Sequence, residues 1–372
     1  MKTKVMVWVV CIGMCCSSCG GGSNGKQVEE NEVERIELFS VTVPEECIQV
    51  YENSYCRPIS AQIDGTNCMV AFSDPLYAID LIDLQGKQPF RQIALEKEGP
   101  NGVNGISGVF YYDNAFVLKT SNGFSKVDKQ GNLLSSWSLS DYLSKHPGFS
   151  AHYPEKLIIF SFYQILGFDA KEGLVTLPMY KNQKENGQYP ARILVLSCKD
   201  WQVVDEVEVN YPQQMKQEEW LGCLGEIQAL PHGEKVIWNF PASSDVYVYD
   251  RKKKTTQTFS IETQYTDGYY RCKNKQDHGL AGGYFMPLRY DATSNTYWRI
   301  QQKPMVNPGL AGKGFSVTRL SDDFEKMAEY DMPDEKNISS FTILFGKNSV
   351  YFPYIGGEHI EENNIPFYGL SF

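Results

Sequence analysis

One plan recurs along this chain and limits what it can fold into. An apolar strand is followed by a turn, a second strand with period-two alternation, an Asp-x-x-Gly turn or a polar substitute, and a final strand. The cleanest copies are Met69 to Leu95, with its turn at Asp83-Leu84-Gln85-Gly86, and Val109 to Leu139, with its turn at Asp128-Lys129-Gln130-Gly131. Further copies run from Lys156 to Val209 (LIIFSF, then ARILVLSCKDWQVVDEVEV after a long insertion), Ile227 to Ile261, Tyr284 to Pro333 and Phe341 to Phe372. In such a turn Asp accepts a backbone N–H two residues on and Gly supplies positive φ, so together they close a tight hairpin. The acids at Asp83, Asp128, Asp200, Asp250 and Asp322 are therefore expected to be structural rather than a catalytic row.

Six copies of a multi-strand unit predict an all-β fold, a six-bladed β-propeller. The sixth copy ends at the C-terminus, and an amphipathic strand, Arg35 to Val43, waits before the first. Strands from the two ends sharing one blade would close the ring and hide the sheet edges. Six blades sharing the chain beyond the tether average more residues than a WD40 repeat of roughly 40–45, and the surplus falls in loops such as Tyr180 to Pro190 and Gln301 to Lys313. The 23 Tyr, 20 Phe and 6 Trp suit pleated surfaces. Long helical periodicity is missing. The better helix candidates are short: Ser140 to Lys145, stopped by His146-Pro147, and Gln213 to Leu224.

The first residues read as an address. Lys2 and Lys4 precede a short apolar run, Val5 to Met14, and small residues Ser17 and Ser18 precede Cys19. That is the layout of a secretory signal peptide, and the run is too short for a bilayer span of roughly 20 residues. Cys16-Ser17-Ser18-Cys19 resembles the lipobox of bacterial lipoproteins, although Cys16 stands where leucine is usual. The expected organisation is a signal peptide over 1–18, lipid attachment at Cys19, a flexible tether over 19–34 and the propeller over 35–372. Stable lipid anchoring takes more than one acyl chain, each buried CH₂ contributing about 0.8 kcal/mol. Gly20 to Gly25 fits G-x-G-x-x-G, but no strand precedes it and no helix follows, so it reads as tether.

Charge excludes one class of partner. The full chain carries −10, and loss of Lys2 and Lys4 takes it to −12; nucleic-acid binders need a basic footprint. The tight basic cluster Arg251-Lys252-Lys253-Lys254 follows an alternating strand and reads as a solvated hairpin tip. Beyond Cys19 the cysteines are Cys47, Cys56, Cys68, Cys198, Cys223 and Cys272. Their spacing shows no metal framework. An exported chain could pair Cys47 with Cys56 or Cys68, or keep its thiols as small buried apolar groups.

No catalytic constellation is visible. There is no G-x-S-x-G elbow and no H-E-x-x-H. His146, His152, His232, His278 and His359 lie scattered, and Gly309 to Gly314 lacks the Ser or Thr of a phosphate loop. The candidate ligand-surface residues are aromatics beside arginine: Tyr269, Tyr270 and Arg271, and Trp298 and Arg299. Such pairs suit stacking on sugars or clamping carboxylates. The competing reading is that these side chains pack between blades.

The Gly99-Pro100-Asn101-Gly102 turn, the Val127 to Gly131 turn, and Tyr290-Asp291 followed by Tyr297-Trp298-Arg299 give the chain a likeness to a known group. It resembles the six-bladed propeller lipoproteins of Bacteroides-type bacteria whose domain has no assigned function. The resemblance spans the chain beyond the tether and implies a propeller and a lipid anchor. It implies no reaction, no cofactor and no catalytic residue. Two functions stay open. The preferred one is a non-catalytic binding or scaffold module of the bacterial cell envelope, lipid-anchored to the membrane and facing the periplasm or cell surface, with an envelope protein or a glycan as partner. The alternative is a hydrolase or lyase working in the central funnel, with a divalent ion held by oxygen ligands from several blades.

Overall fold

The computed structural model describes residues 37–42, 58–86, 88–154, 167–185, 187–216, 222–266, 283–303, 314–333, 338–353 and 364–372. The chain divides into two units, 1–33 and 34–372, and all described residues belong to the second. Cys19, the LIIFSF strand, Tyr269, Tyr270, Arg271, Cys47, Cys56, Cys272 and the 309–313 loop lie outside the described residues.

The second unit is a six-bladed β-propeller. Strand β1 (Glu37–Thr42) comes first. Blade 1 follows as β2 (Ile59–Ile63), β3 (Thr66–Ser73), β4 (Ala78–Asp83) and β5 (Arg91–Ala94). Blade 2 is β6 (Gly108–Tyr112), β7 (Ala115–Thr120), β8 (Gly123–Val127) and β9 (Leu133–Ser138). In blade 3 the inner strand comes in two pieces, β10 (Phe149–Ser150) and β11 (Phe168–Asp169), both paired with β12 (Leu174–Lys181); β13 (Ala191–Ser197) and β14 (Val203–Val209) complete it. Blade 4 is β15 (Gln228–His232), β16 (Lys235–Asn239), β17 (Val246–Asp250) and β18 (Thr255–Phe259). Blade 5 again splits its inner strand, β19 (Tyr284–Phe285) and β20 (Arg289–Asp291), against β21 (Thr296–Gln302), before β22 (Phe315–Leu320) and β23 (Lys326–Asp331). Blade 6 holds β24 (Leu344–Gly346), β25 (Ser349–Pro353) and β26 (Asn364–Ser371), and β1 supplies its outer strand. The closing pair is antiparallel, Glu37 opposite Gly369 through Thr42 opposite Asn364.

The middle strands are buried on both faces, which explains their near-continuous apolar runs. Alternate residues serve opposite seams. In β3, Val70 packs with Val109, Phe116 and Leu118 of blade 2, while Met69 and Ala71 pack with Leu344, Ile365 and Phe367 of blade 6. In β13, Leu194 and Leu196 join Phe110, Val117 and Phe124 of blade 2, while Ile193 and Val195 join the cluster that holds Val236 and Trp238 of blade 4. The period-two side-chain alternation of a strand thus distributes each blade between two neighbours.

The hairpin turns follow the expected chemistry with one correction. Asp83 accepts from Gln85 N–H and Gln88 N–H, Asp128 from Gln130 and Asn132, Asp200 from Gln202 and Asp250 from Lys252 and Lys253. Asp322 does not close its turn. Ser321 does: its Oγ accepts from Glu325 N–H at 3.1 Å and its carbonyl from Phe324 N–H. Phe324 takes the left-handed conformation (φ 62°) that Gly131 holds in blade 2 (φ 86°). A serine hydroxyl makes the same bond as Asp more weakly, and burial of the Phe324 ring beside Tyr297 offsets the steric cost of that φ.

A helix, α1 (Leu139–Lys145), is capped by Ser138, whose Oγ accepts from Asp141 N–H, and stops at His146 ahead of Pro147. Of the second helix candidate, the described residues form α2 (Gln213–Lys216) and a 3₁₀ turn, Gly222–Gly225, and residues 217–221 lie outside them. Cys68 and Cys198 are buried free thiols, so the Cys47–Cys68 pairing is set aside; the buried-thiol reading holds at both positions.

One seam carries an unneutralised acid. Asp80 is fully buried on the face of β4 that meets blade 6, with Gln92 Nε2 donating to Oδ1 and Oδ2 unpartnered. Desolvation pushes its carboxyl up to about 6, against the hydrogen bond from Gln92. A raised carboxyl favours the protonated folded state. Its contribution is present below pH 4 and lost as pH rises through about 6. Asp80→Asn removes this dependence, so between pH 4 and pH 7 the variant gains on the wild type by about 3 kcal/mol, one pKa unit being about 1.4 kcal/mol. Denaturant unfolding of both proteins across that pH range measures it; parallel profiles would refute it.

Candidate functional site

The two faces of the ring are built differently. On one, the first and second strands of each blade are joined by short turns: 64–65, 113–114, 170–173, 233–234, 292–295 and 347–348. Hairpins of the third and fourth strands share this face and are stitched to neighbouring blades. Lys129 pairs with Asp64 at 2.6 Å, Lys254 with Asp205 at 2.9 Å and Lys235 with Asp322 at 3.6 Å, and Gly233 N–H donates to Asp169 at 2.7 Å. The Arg251-to-Lys254 cluster lies here as a hairpin tip whose four cations pair with Asp205, Glu234 and Asp250.

The opposite face holds the strand ends from which the chain passes from blade to blade, as it does through 95–107 between blades 1 and 2. It carries a recess of about 490 Å³, counting its solvent-filled mouth, at the end of the seam between blades 2 and 3 where blade 4 begins. The enclosed part is narrow, so it suits a small group rather than a bulky ligand. Leu139, Ala151, Leu177, Pro178, Ile227 and Ala229 supply apolar walls. Lys119, Ser121, His152, Tyr180 and Glu226 supply polar groups. This mixture, mostly apolar with a few polar groups, is usual for small-molecule sites.

The strands place these groups. Lys119 shares the face of β7 with Val117, which packs in the seam with blade 3, and the lysine sits at the strand end opposite Gly108 and Phe124. On the far wall, Tyr180 is fully buried and its Oη accepts the Ile227 N–H at 2.8 Å. Tyr211 Oη donates to Gly225 O, and Thr176 Oγ1 donates to Ala229 O at 2.9 Å. Glu226 is thereby held in a clamped segment, 1% exposed. Burial, with the Glu226 carboxylate as second cause, pushes the Tyr180 hydroxyl well above its usual range.

Lys119 differs from the next two lysines along blade 2. Lys126 and Lys129 pair with Asp113 and Asp64. Among the described residues Lys119 makes no ion pair; its Nζ donates to Thr120 O at 2.6 Å and lies 5.5 Å from the Phe124 ring centroid. Desolvation lowers its ammonium to about 8.

The residues proposed from sequence sit elsewhere. Trp298 is buried in the seam with blade 6, stacked near Tyr330 and Phe372, with Nε1 donating to Thr296 Oγ1. Arg299 faces the other way, 1% exposed, donating to Ser244 O at 2.8 Å with its guanidinium 4.4 Å from the Phe285 ring centroid. Both pack between blades, and neither contributes to an open surface. The described histidines are dispersed: His146 packs on Tyr142, His232 on Tyr290, and His152 alone lines the recess. Among the described residues no group of three His, Cys, Asp or Glu could hold a metal ion, and no helix is long and apolar enough to cross a membrane. Lys119 had a visible signal, a charge within a strand otherwise apolar on both faces. Glu226 had none, since its place depends on contacts to Tyr180 and Tyr211.

Comparison with known proteins identifies the domain without giving a reaction. The family described as domain of unknown function DUF4221 matches residues 41–331. The crystal structure of a DUF4221 member from Bacteroides vulgatus superposes with a TM-score of 0.68 at 15% identity, covering 90% of this chain and 98% of that one. A Bacteroides fragilis protein proposed to be exported superposes with a TM-score of 0.51 at 12% identity, covering 91% and 95%. No protein with a curated description is similar enough in sequence to count as a match.

The Lys119 ammonium should titrate near pH 8, well below exposed lysines near 10.4. NMR of reductively ¹³C-methylated lysines reads this directly: one resonance should shift with a midpoint near 8 and vanish in Lys119→Met. A single common midpoint for all lysines would refute the burial argument.

Proposed function

This chain belongs to the DUF4221 family, a domain of unknown function, and we propose that it is a lipid-anchored binding module of the bacterial cell envelope whose ligand site is the recess between blades 2, 3 and 4. The inequality of the two faces carries the reading. One face is closed by short turns and inter-blade ion pairs, and the other bears a recess lined by a lysine that pairs with no carboxylate among the described residues. Anchoring rests on the signal-like residues 1–18 and on Cys19, the nucleophile that would take the lipid. The similarity to a Bacteroides fragilis protein proposed to be exported supports an extracytoplasmic address. A tether over 19–34 would leave the propeller free to present its open face.

The enzymatic alternative also has an observation in its favour. Lysine, glutamate, tyrosine and histidine line a single recess, and such groups are the usual donors and acceptors of proton-transfer chemistry. The recess near the blade 2–3 seam, rather than a metal-lined funnel, is then the place to look for it.

Fractionation of cells making the full chain with a C-terminal tag tests the address. The wild type should stay with membranes and Cys19→Ala should be released or retained in precursor form; identical partition of both would end the lipid-anchor reading. A thermal-shift screen of glycans, short peptides and small metabolites tests the site. Ser121→Trp, which fills the exposed mouth of the recess, should abolish any shift found while leaving the unliganded melting temperature within about 2 °C, as for other surface changes. A ligand that binds both proteins equally would place the site elsewhere.

A further inference from the structure

We propose that Lys119 is a nucleophilic lysine that captures a small aldehyde in the recess as a Schiff base. The proposal rests on the recess being the ligand site, and it deepens that reading by assigning the chemical class of ligand. Three features of the site carry it. Lys119 lines a recess with Leu139, Ala151, Leu177, Pro178 and Ile227, beside the polar groups already described. Its one hydrogen-bond acceptor is the neighbouring carbonyl of Thr120, which fixes the side chain without neutralising it. Among the described residues no carboxylate pairs with it, whereas Lys126, Lys129, Lys235 and Lys254 each meet an aspartate.

A lysine serving only to support the fold would gain by pairing or by reaching water. An amine desolvated in an apolar pocket is instead the arrangement that activates lysine toward carbonyl carbon. Burial works in the same direction, bringing the ammonium down to about 8 so that roughly a tenth of it is neutral at pH 7.

The step balances within the components named. The lone pair of the neutral amine forms a C–N bond to the aldehyde carbon, and the carbonyl oxygen takes up a proton to give a carbinolamine. The C–O bond then breaks, the oxygen leaves as water, and nitrogen loses its remaining proton as the C=N bond forms. Hydrolysis reverses the sequence, so capture is reversible and needs no oxidant or reductant. His152 and Glu226 line the same recess and can hold and return the protons involved.

Reductive trapping tests the proposal on the full-length protein in detergent. Propionaldehyde is added at pH 7 with limiting cyanoborohydride, and the propylated lysines are mapped by mass spectrometry at short times. Lys119 should be modified at least about tenfold faster than the median lysine, since its neutral fraction at pH 7 is larger by roughly two hundredfold and its lower basicity takes back only part of that, with a rate that rises through a midpoint near pH 8. Lys119→Arg should lose that adduct and leave the other lysines unchanged. If the variant does not fold, the site ranking and pH profile of the wild type decide alone. Even labelling across the lysines, or sparing of Lys119, overturns the proposal. In that event, a thermal shift from the screen that Ser121→Trp abolishes keeps the recess as a non-covalent site, and absence of such a shift removes the recess reading as well.

Discussion

A four-stranded sheet with two apolar faces cannot stand alone in water, and the rest of this protein follows from that constraint. Val70 needs blade 2, Met69 needs blade 6, and each neighbour has the same need in turn. The hydrophobic gain on burial, about 25 cal/mol per Å² of apolar surface, is realised only when every blade has two partners. A linear stack would leave two faces wet. The ring removes them, and the β1–β26 pairing fixes the last blade to both ends of the chain.

Packing of this kind leaves the two ends of the strands with different tasks. At the hairpin face, Asp, Ser and left-handed residues close tight turns, and cations on one blade meet acids on the next. Individually such exposed pairs contribute little, about 0–1 kcal/mol. Together with the Gly233–Asp169 bond they set how adjacent blades are aligned. At the other face, the connections are long enough to vary without disturbing the seams, and binding residues are usually carried by such segments on a rigid scaffold.

The recess arises where that division meets a seam that is not filled with hydrocarbon. Lys119 ends a strand whose preceding residues, Phe116 to Leu118, are wholly buried. Lys119 lines the recess together with Tyr180 and Glu226, and its ammonium is held by Thr120 O. Asp80 is a second polar intrusion, in the blade 1–6 seam, where Gln92 donates to it. Two buried ionisable groups thus meet opposite surroundings: one lies within a packed interface and the other opens toward solvent.

The architecture was legible in the sequence because its signals are local. Alternation in VYVYD, the Asp-x-x-Gly turns at Asp83 and Asp128, and the stop at His146-Pro147 each depend on a few adjacent residues. Even the ring closure could be read, since an unpaired amphipathic strand stood at one end and an incomplete copy at the other. Function-bearing geometry was not local. Trp298 and Arg299 looked like a surface pair because adjacent strand residues face opposite ways, and only the presence of a blade on each side buries both. Asp322 looked like a turn acid by position, yet a one-residue difference in hairpin register gave that bond to Ser321. The recess joins residues 119, 152, 180 and 226, brought together from three blades. Repeat and turn chemistry were determined by the sequence; which side chains share a seam, and which of them water can reach, was decided by the stacking of blades, because burial belongs to neighbours distant along the chain.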